Sequence, residues 1–429
     1  MRLKQVTMKN FRCFENATVS FAPGYTVLIG NNGSGKSAAL DAVSLALGSF
    51  LNGMDGIKSN LIQKDDVRYS MFLQGNTMNR EPQYPVVIGA ESVLQDGRCL
   101  RWERSLNRAN GHTTIKAARP IMDFASELQH ETRKGNKNVI LPLVAYYGTG
   151  RLWNTKQRHH IPGKNLWTRI KGYEDCLDAA ETDKSMNEWL ARMTYLSLQE
   201  ERPIEELSAV EQALADCYAG IDDSAEKVNI RFSVKINELE IMVQHKDGMI
   251  EYLPFHMLSD GIRIILHMVA DIAYRMAVLN PQLLDDVIAE TDGIVLIDEI
   301  DMHLHPAWQK RIIHDLCTIF PKVQFILTTH SPSILVNVPK ENIRVLENGK
   351  CLFLENKTYG RDINAVLSET MKVRVRPKEI IEKIDAFNKS VDSGNLENAK
   401  KILSDLRRVL GENDQDVINA QISLDLEEI

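Results

Sequence analysis

Residues 30–37 read Gly30-Asn31-Asn32-Gly33-Ser34-Gly35-Lys36-Ser37, a complete phosphate-binding loop pattern. The apolar stretch at residues 25–29 predicts a strand before the loop, and residues 38–43 favour a helix after it. In that context the glycine-rich turn directs backbone N–H groups at phosphate oxygens, and the helix dipole favours the same anion. Lys36 would reach the β- and γ-phosphates, and the Ser37 hydroxyl would lie in the Mg²⁺ shell. The stretch therefore predicts a nucleoside triphosphate site.

The bulk composition sets limits on the class of protein. The 429 residues are enough for two or three domains. The net charge of −7 means that any contact with nucleic acid must come from a local patch. The chain contains no apolar run of about eighteen residues, so no membrane span is predicted. Its six scattered cysteines have no zinc spacing and indicate reduced thiols in a cytoplasmic protein.

The second half of the chain carries candidate catalytic residues. Residues 293–299 form an apolar run that ends in Asp298 and Glu299 and predict a buried parallel strand. Asp298 is expected in the Mg²⁺ shell, and Glu299 is expected to polarise the attacking water. A second apolar stretch, residues 323–330, ends in His330. A lone histidine is more often a packing residue, but this position, one helix and strand after Asp298, favours a γ-phosphate contact.

A predicted helix start at residues 258–263, between the phosphate-binding loop and the apolar run at residues 293–299, completes a recognisable set of motifs. Ser259 or Asp260 is a natural N-cap, and Gly261 would let a phosphate approach the backbone. In order, the motifs resemble Walker A, the signature, Walker B and the switch histidine of ABC-type ATPases, in the branch of SMC, RecF and OLD proteins. Residues 301–306 resemble the D-loop of that branch, and residues 9–14 resemble the start of its heads. The resemblance implies an α/β fold, an ABC/SMC-head-like P-loop ATPase with a mixed β lobe, a helical insertion and a C-terminal helical segment.

The resemblance also implies roles for single residues. ATP and Mg²⁺ would be the cofactors, and Arg12 would join the ATP-binding loop. The signature of one subunit would complete the ATP site of another, so that ATP holds a head-to-head dimer and hydrolysis releases it. Asp260 replaces the usual first glycine of the signature. The implied D-loop residues are Asp301, His303 and His305. Zinc is disfavoured for the two histidines because their i, i+2 spacing gives poor tetrahedral geometry.

A basic segment follows the region in which a Q-loop is expected, residues 146–151. Residues 151–171 contain no acid and interleave cations with aromatic rings, which suits nucleic-acid phosphates and bases. The alternative, held about equal, is a solvated loop whose arginines serve the nucleotide or the dimer. The candidate contacts are Arg151, Lys156, Arg158, Lys164, Arg169 and Lys171.

The remaining patterns predict the domain organisation. Residues 85–118 alternate like a hairpin, with Asp96-Gly97 as the turn, and residues 172–220 favour helices. Near the end of the chain we expect two amphipathic helices, followed by an acidic tail at residues 411–429. The expected domains are the Walker A half of the head (1–84), the β lobe and helical insertion (85–250), the second half of the head (251–345) and a partner-docking helical region (346–429).

The chain resembles the PtuA ATPases of Septu-type anti-phage systems and some retrons in three features. It lacks long heptad repeats, it has the stretch at residues 147–152, and its helical tail begins at residues 359–362. That resemblance implies an oligomeric ATPase that senses infection and regulates a partner HNH nuclease (PtuB-like), with nucleic-acid contact and no membrane. No carboxylate pattern of a nuclease is seen in the chain. Two alternatives stay open: a RecF-like DNA-repair ATPase and a structural scaffold that holds its nucleotide without hydrolysis.

Overall fold

The computed structural model describes residues 1–74, 77–152, 168–178, 184–221, 224–371 and 376–427. It divides into two compact units, Met1–Gly360 and Arg361–Ile429. The strands are β1 (Arg2–Phe11), β2 (Phe14–Ser20), β3 (Tyr25–Ile29), β4 (Tyr69–Gln74), β5 (Thr77–Pro82), β6 (Val86–Val93), β7 (Cys99–Leu106), β8 (Leu143–Tyr147), β9 (Ala225–Ser233), β10 (Glu238–His245), β11 (Ile250–Pro254), β12 (Gly293–Ile297), β13 (Val323–Thr328), β14 (Ile343–Glu347) and β15 (Lys350–Phe353). The helices are α1 (Lys36–Leu51), α2 (Arg119–Arg133), α3 (Lys184–Glu200), α4 (Glu205–Ala219), α5 (Asp260–Leu279), α6 (Val287–Glu290), α7 (Pro306–Gln309), α8 (Ile312–Ile319), α9 (Pro332–Leu335), α10 (Ile363–Ala365), α11 (Lys378–Asp392), α12 (Leu396–Leu410) and α13 (Gln415–Glu427).

A six-stranded sheet forms the centre of the first unit, in the order β15-β14-β3-β13-β12-β8. Its strands from β14 to β8 are parallel, and β15 pairs antiparallel with β14. Strands β8, β12 and β13 are apolar runs that are buried along their whole length, as expected for a parallel sheet with both faces covered. Because parallel strands end at the same edge, the residues that follow β3, β8, β12 and β13 meet there.

An antiparallel sheet, β2-β1-β6-β7, lies in the same unit, with a three-stranded sheet, β11-β10-β9, and the hairpin β4-β5. The predicted hairpin is β6 and β7, and its turn has Gly97 at φ +83°, a left-handed conformation that glycine adopts readily. The expected division between residues 84 and 85 is not a boundary in space, because β6 pairs with β1 and β8 belongs to the central sheet.

The predicted helical insertion is present as α3 and α4. Trp189 and Leu190 of α3 are buried, and the Trp189 ring lies 5.6 Å from the Tyr274 ring of α5. Helix α5 is buried along most of its length. The insertion therefore packs on the helix that begins at the signature motif. In the described part of the chain, no helix has the length and apolar character that a membrane span requires.

The first unit extends further than the sequence indicates. Strands β14 and β15 complete the central sheet, and the division falls after Gly360 instead of after residue 345. In the second unit α11, α12 and α13 share one apolar cluster around Phe387 and Leu403. The expected acidic tail is in fact α13, because Val417, Ala420 and Leu424 recur at helical spacing and are buried in that cluster.

Candidate nucleotide site

The phosphate-binding loop connects β3 to α1, as predicted. Gly33 and Gly35 have φ of +78° and +100°, left-handed values that glycine adopts at little cost. A Cβ on Gly30 would lie 2.3 Å from the Leu346 carbonyl oxygen of β14, so only glycine fits at that position. Strand β14 thus lies so close to the loop that residue 30 has to be glycine.

Lys36 lies at the start of α1 with its ammonium group turned into the loop. Its Nζ donates to the backbone oxygens of Gly30 at 2.8 Å and Asn31 at 3.2 Å. Burial lowers the pKa of Lys36, and the carboxylates of Asp298, Glu299 and Asp301 act in the opposite direction. Those carboxylates come from a segment far away in sequence, so the fold brings the two predicted motifs together.

Two predicted carboxylates follow β12 at the same sheet edge. The Asp298 backbone N–H donates to the Tyr147 carbonyl at 2.8 Å, which ties the end of β12 to the end of β8. Asp298 Oδ1 accepts a hydrogen bond from the Thr328 hydroxyl at 2.5 Å. Glu299 has φ +47°, and its backbone N–H donates to the same hydroxyl at 2.7 Å. Non-glycine residues rarely adopt such a φ, and they do so mainly where the surrounding structure enforces it.

The predicted D-loop residue Asp301 is joined to the predicted switch histidine. Asp301 Oδ1 accepts hydrogen bonds from the Thr329 hydroxyl at 2.6 Å and from the His330 backbone N–H at 3.3 Å. His303 is exposed with φ +63°, and His305 Nδ1 accepts from the Ala307 N–H at 3.3 Å, which caps α7. One carboxylate therefore fixes the backbone that carries the His330 imidazole.

The predicted signature residues lie at the start of α5. Ser259 occupies the N-cap position and is exposed, and Asp260 forms an ion pair with Arg263 one turn later. A Cβ on Gly261 would lie 2.3 Å from the His303 carbonyl oxygen. This close packing against the D-loop of the same chain is a structural reason for glycine here. The proposed contact of these residues with a second subunit's ATP stays a prediction.

Arg12 lies beside the phosphate-binding helix. Its Nη1 contacts Asp41 Oδ2 of α1 at 2.5 Å, and its Nε donates to Asp66 Oδ1 at 2.9 Å. The Tyr146 hydroxyl donates to Asp41 Oδ1 at 2.9 Å, and burial raises the pKa of Tyr146. The segment expected as a Q-loop thus reaches α1 through Asp41. Contact of Arg12 with ATP, and the identity of the Q-loop residue, stay predictions.

The basic segment is only partly described. Lys156, Arg158, Lys164 and the side chain of Arg151 lie outside the described residues. Arg169 donates to the carbonyl oxygens of Leu279 at 2.6 Å and Val139 at 2.7 Å, and to Asn280 Oδ1 at 3.0 Å. Its guanidinium group therefore joins the end of α5 to the chain before β8, a structural role that the charge pattern did not indicate. Lys171 lies in the same turn, and its contact with nucleic acid stays a prediction.

The donor set fits a magnesium–triphosphate group. The left-handed glycines shape the loop as a cradle, the Lys36 ammonium is already turned into it, and Asp298 and Ser37 offer the oxygen ligands that Mg²⁺ prefers. The loop would bind the phosphates, and Asp298 and Ser37 would hold the ion, which would neutralise phosphate charge. Sequence reasoning missed Thr328 and Thr329, although the two hydroxyls directly before His330 were a usable signal.

Comparisons with known proteins agree with this geometry. Residues 5–222 match the family model described as "AAA domain", and residues 153–337 match "AAA domain, putative AbiEii toxin, Type IV TA system". The chain is 25% identical to the Retron Ec83 probable ATPase of Escherichia coli, over 99% of this chain and 87% of that one. It is 33% identical to the Septu protein PtuA of Bacillus thuringiensis, over 42% of this chain and 46% of that one.

Among solved structures, the SmcHead bound to the C-winged helix domain of ScpA matches with a TM-score of 0.49 and 17% identity, over 83% of this chain and 98% of that one. The first family model spans half of the chain and includes the phosphate-binding loop. The Retron Ec83 probable ATPase and the Septu protein PtuA are thus among its relatives, and the chain belongs to the AAA domain family.

Proposed function

We propose that this chain binds and hydrolyses ATP, associates head to head around ATP, and thereby regulates a partner nuclease of the HNH type in anti-phage defence. The observation that carries the ATPase part is the single sheet edge at which Lys36, Asp298, Glu299 and the backbone of His330 are fixed. Phosphoryl transfer requires mainly positioning and charge stabilisation, which this arrangement supplies.

Each residue at the edge has a separate task. The loop N–H groups and Lys36 bind the phosphates, and Asp298 with Ser37 would hold Mg²⁺, which neutralises charge on the phosphate oxygens. Glu299 orients the water for attack on the γ-phosphate, and His330 contacts that phosphate. The start of α5 supports a contact with a second head, because Ser259 and Asp260 are exposed and, within the described residues, the Ser259 side chain makes no capping hydrogen bond.

The proposal of a partner nuclease rests on separate observations. The chain is similar to a Septu protein and to retron ATPases, and we infer that it shares their kind of system. The second unit offers a surface for a partner, since α13 exposes Ile418, Ile422 and Leu426 along one face. An ATPase that controls a separate nuclease needs such a surface in addition to its nucleotide site.

Substitution of Glu299 and Lys36 tests the ATPase. Glu299→Gln should lower phosphate release by about 100-fold or more, because it removes the general base, yet should keep ATP binding and prolong the ATP-dependent dimer. Lys36→Ala should abolish ATP binding and the dimer together. Glu290→Gln, a carboxylate change at an exposed ion pair with Lys322, is the matched control and should behave as wild type.

Phosphate release, equilibrium ATP binding and mass by light scattering are the measurements. A Glu299→Gln variant with wild-type turnover would refute the catalytic assignment. A wild-type protein that binds ATP without turnover would favour the scaffold alternative, and dimerisation that is independent of nucleotide would refute ATP as the link between the heads.

A further inference from the structure

A buried hydroxyl lies at the centre of the candidate catalytic edge. Thr328 is the last residue of β13 and is fully buried, and β13 lies between the phosphate-loop strand β3 and the carboxylate strand β12. Its Oγ1 is 2.5 Å from Asp298 Oδ1 and 2.7 Å from the Glu299 backbone nitrogen. One side chain therefore contacts both members of the carboxylate pair.

The direction of these hydrogen bonds follows from the atoms. The Glu299 N–H can only donate, so Thr328 Oγ1 accepts there, and the single hydroxyl proton is left for Asp298. The carboxylate oxygen receives this donor at the short distance typical of a charge-assisted hydrogen bond. The bond fixes the plane of the Asp298 carboxylate, and with it the direction of the second oxygen.

The Glu299 side of the contact concerns the backbone. Residue 299 has φ +47°, a conformation that turns the chain sharply at the end of β12. A buried N–H group that loses its acceptor costs free energy, so the Thr328 oxygen favours this turn. This backbone turn sets the direction in which the Glu299 side chain leaves the sheet.

We propose that Thr328 is the positioning residue of the ATPase centre: its hydroxyl orients the Asp298 carboxylate and holds the Glu299 backbone in the turn that aims the general base. This inference rests on the proposed ATPase function. The valine side chain has nearly the shape of threonine without the hydroxyl, and serine keeps the hydroxyl without the methyl group. The two substitutions therefore separate hydrogen bonding from packing.

Thr26 provides a matched control in the adjacent strand. It is also fully buried, and its hydroxyl oxygen accepts from the Ala22 N–H at 2.8 Å, at a turn that precedes β3. Thr26→Val removes a hydroxyl from the same sheet at a place remote from the carboxylates. Any general effect of a buried threonine-to-valine change should appear in both variants.

The first experiment uses the full chain without nucleotide or metal. Hydrogen–deuterium exchange of the backbone at residues 296–302 should be faster by about tenfold in Thr328→Val, near wild type in Thr328→Ser, and unchanged in Thr26→Val. Melting temperatures of all variants check that each is folded. Unchanged exchange in a folded Thr328→Val protein would overturn the proposal.

The second experiment measures turnover and ATP binding as Mg²⁺ is varied. Thr328→Val should lower kcat by about 10- to 100-fold and require more Mg²⁺ for half-maximal rate, with ATP affinity within about twofold and recovery in Thr328→Ser. Equal losses in Thr328→Val and Thr26→Val would assign the residue a purely structural role and overturn the proposal. Should the wild type lack turnover, the proposed function fails, while the exchange comparison still decides whether Thr328 holds the Glu299 turn.

Discussion

Glu211 is a single residue whose ionisation is tied to folding. It lies on α4, and burial raises its pKa to about 7, against the opposing effects of the Phe232 backbone and the Arg231 charge. In the unfolded chain its pKa is about 4.3. At pH values between these two pKa values, Glu211 keeps its proton in the folded protein and has released it in the unfolded chain. The free energy of unfolding is therefore higher at low pH and falls as the pH rises through this range.

Glu211→Gln should therefore change how stability depends on pH. The wild type should lose about 2 kcal/mol of unfolding free energy, relative to the variant, as the pH rises from about 4.5 to about 7. The glutamine variant has no such titration and should be the more stable protein above about pH 7. Urea denaturation at several pH values is the measurement, with the exposed Glu205→Gln of the same helix as control. Parallel pH profiles for wild type and Glu211→Gln would contradict the assignment.

The residues of the nucleotide site differ in how far the sequence could predict them. The phosphate loop, Asp298 and Glu299 follow from patterns in which residue type, spacing and flanking strand are all visible in one short segment. Thr328 has a local signal, a hydroxyl two residues before His330, but its contacts with Asp298 and Glu299 depend on β13 lying next to β12, a pairing that becomes evident only in the sheet. Short-range patterns therefore reveal the groups that touch substrate better than those that position them.

At the scale of the element, the C-terminal end of α5 depends on a cation from another segment. Arg169 donates to the last carbonyl of the helix at Leu279, to the Asn280 side chain and to Val139. A helix end leaves carbonyl groups without partners inside the helix, and a cation there also matches the negative end of the helix dipole. Arg169 therefore anchors the helix that begins at the signature motif.

Arg169→Met should lower the unfolding free energy by about 2–4 kcal/mol, because it removes several charge-assisted hydrogen bonds from a half-buried site. Lys137→Met removes one positive charge at an exposed position and should leave stability unchanged. Denaturant unfolding and binding to single-stranded DNA are measured for both variants. If Arg169→Met weakens DNA binding at unchanged stability, the original nucleic-acid prediction holds for this residue.

Strands and helices could be predicted where their sequence pattern lies within one short segment. The hairpin of β6 and β7 shows alternation and a turn residue, and α3 shows an apolar stripe. The last stretch of the chain is expected as an acidic tail that packs on its own domain or on a partner, and the structure adds that it is a helix, α13, whose buried residues are spaced at helical period between the acids. Strand β15 is short and mostly exposed, and its membership of the central sheet depends on β14.

At the scale of the whole molecule, the proposed ATPase centre and the proposed partner surface lie in different units. The nucleotide site lies within Met1–Gly360, and Arg361–Ile429 has an apolar cluster of its own. On the outer side of that cluster, α13 exposes three large apolar residues at a spacing of four.

If α13 binds the proposed partner nuclease, Ile422→Asp should release that nuclease from the complex purified from the native locus, because it places a charge in the middle of the apolar face. ATP turnover by the first unit should stay within about twofold of wild type. Asn419→Asp introduces the same charge on an exposed polar position of α13 and should retain the partner. Recovery with gapped DNA and recombination proteins, in place of a nuclease, would favour the repair alternative.

The strand order of the central sheet has a consequence during synthesis of the chain. Strand β3 and the phosphate loop leave the ribosome well before both sheet neighbours of β3, β13 and β14, which come from residues 323–347. Pairing over such a separation cannot form until most of the chain has been translated. A nascent chain that ends before these strands therefore has the sequence of the phosphate loop without the sheet that shapes it, and we expect ATP binding only after β13 and β14 have been translated.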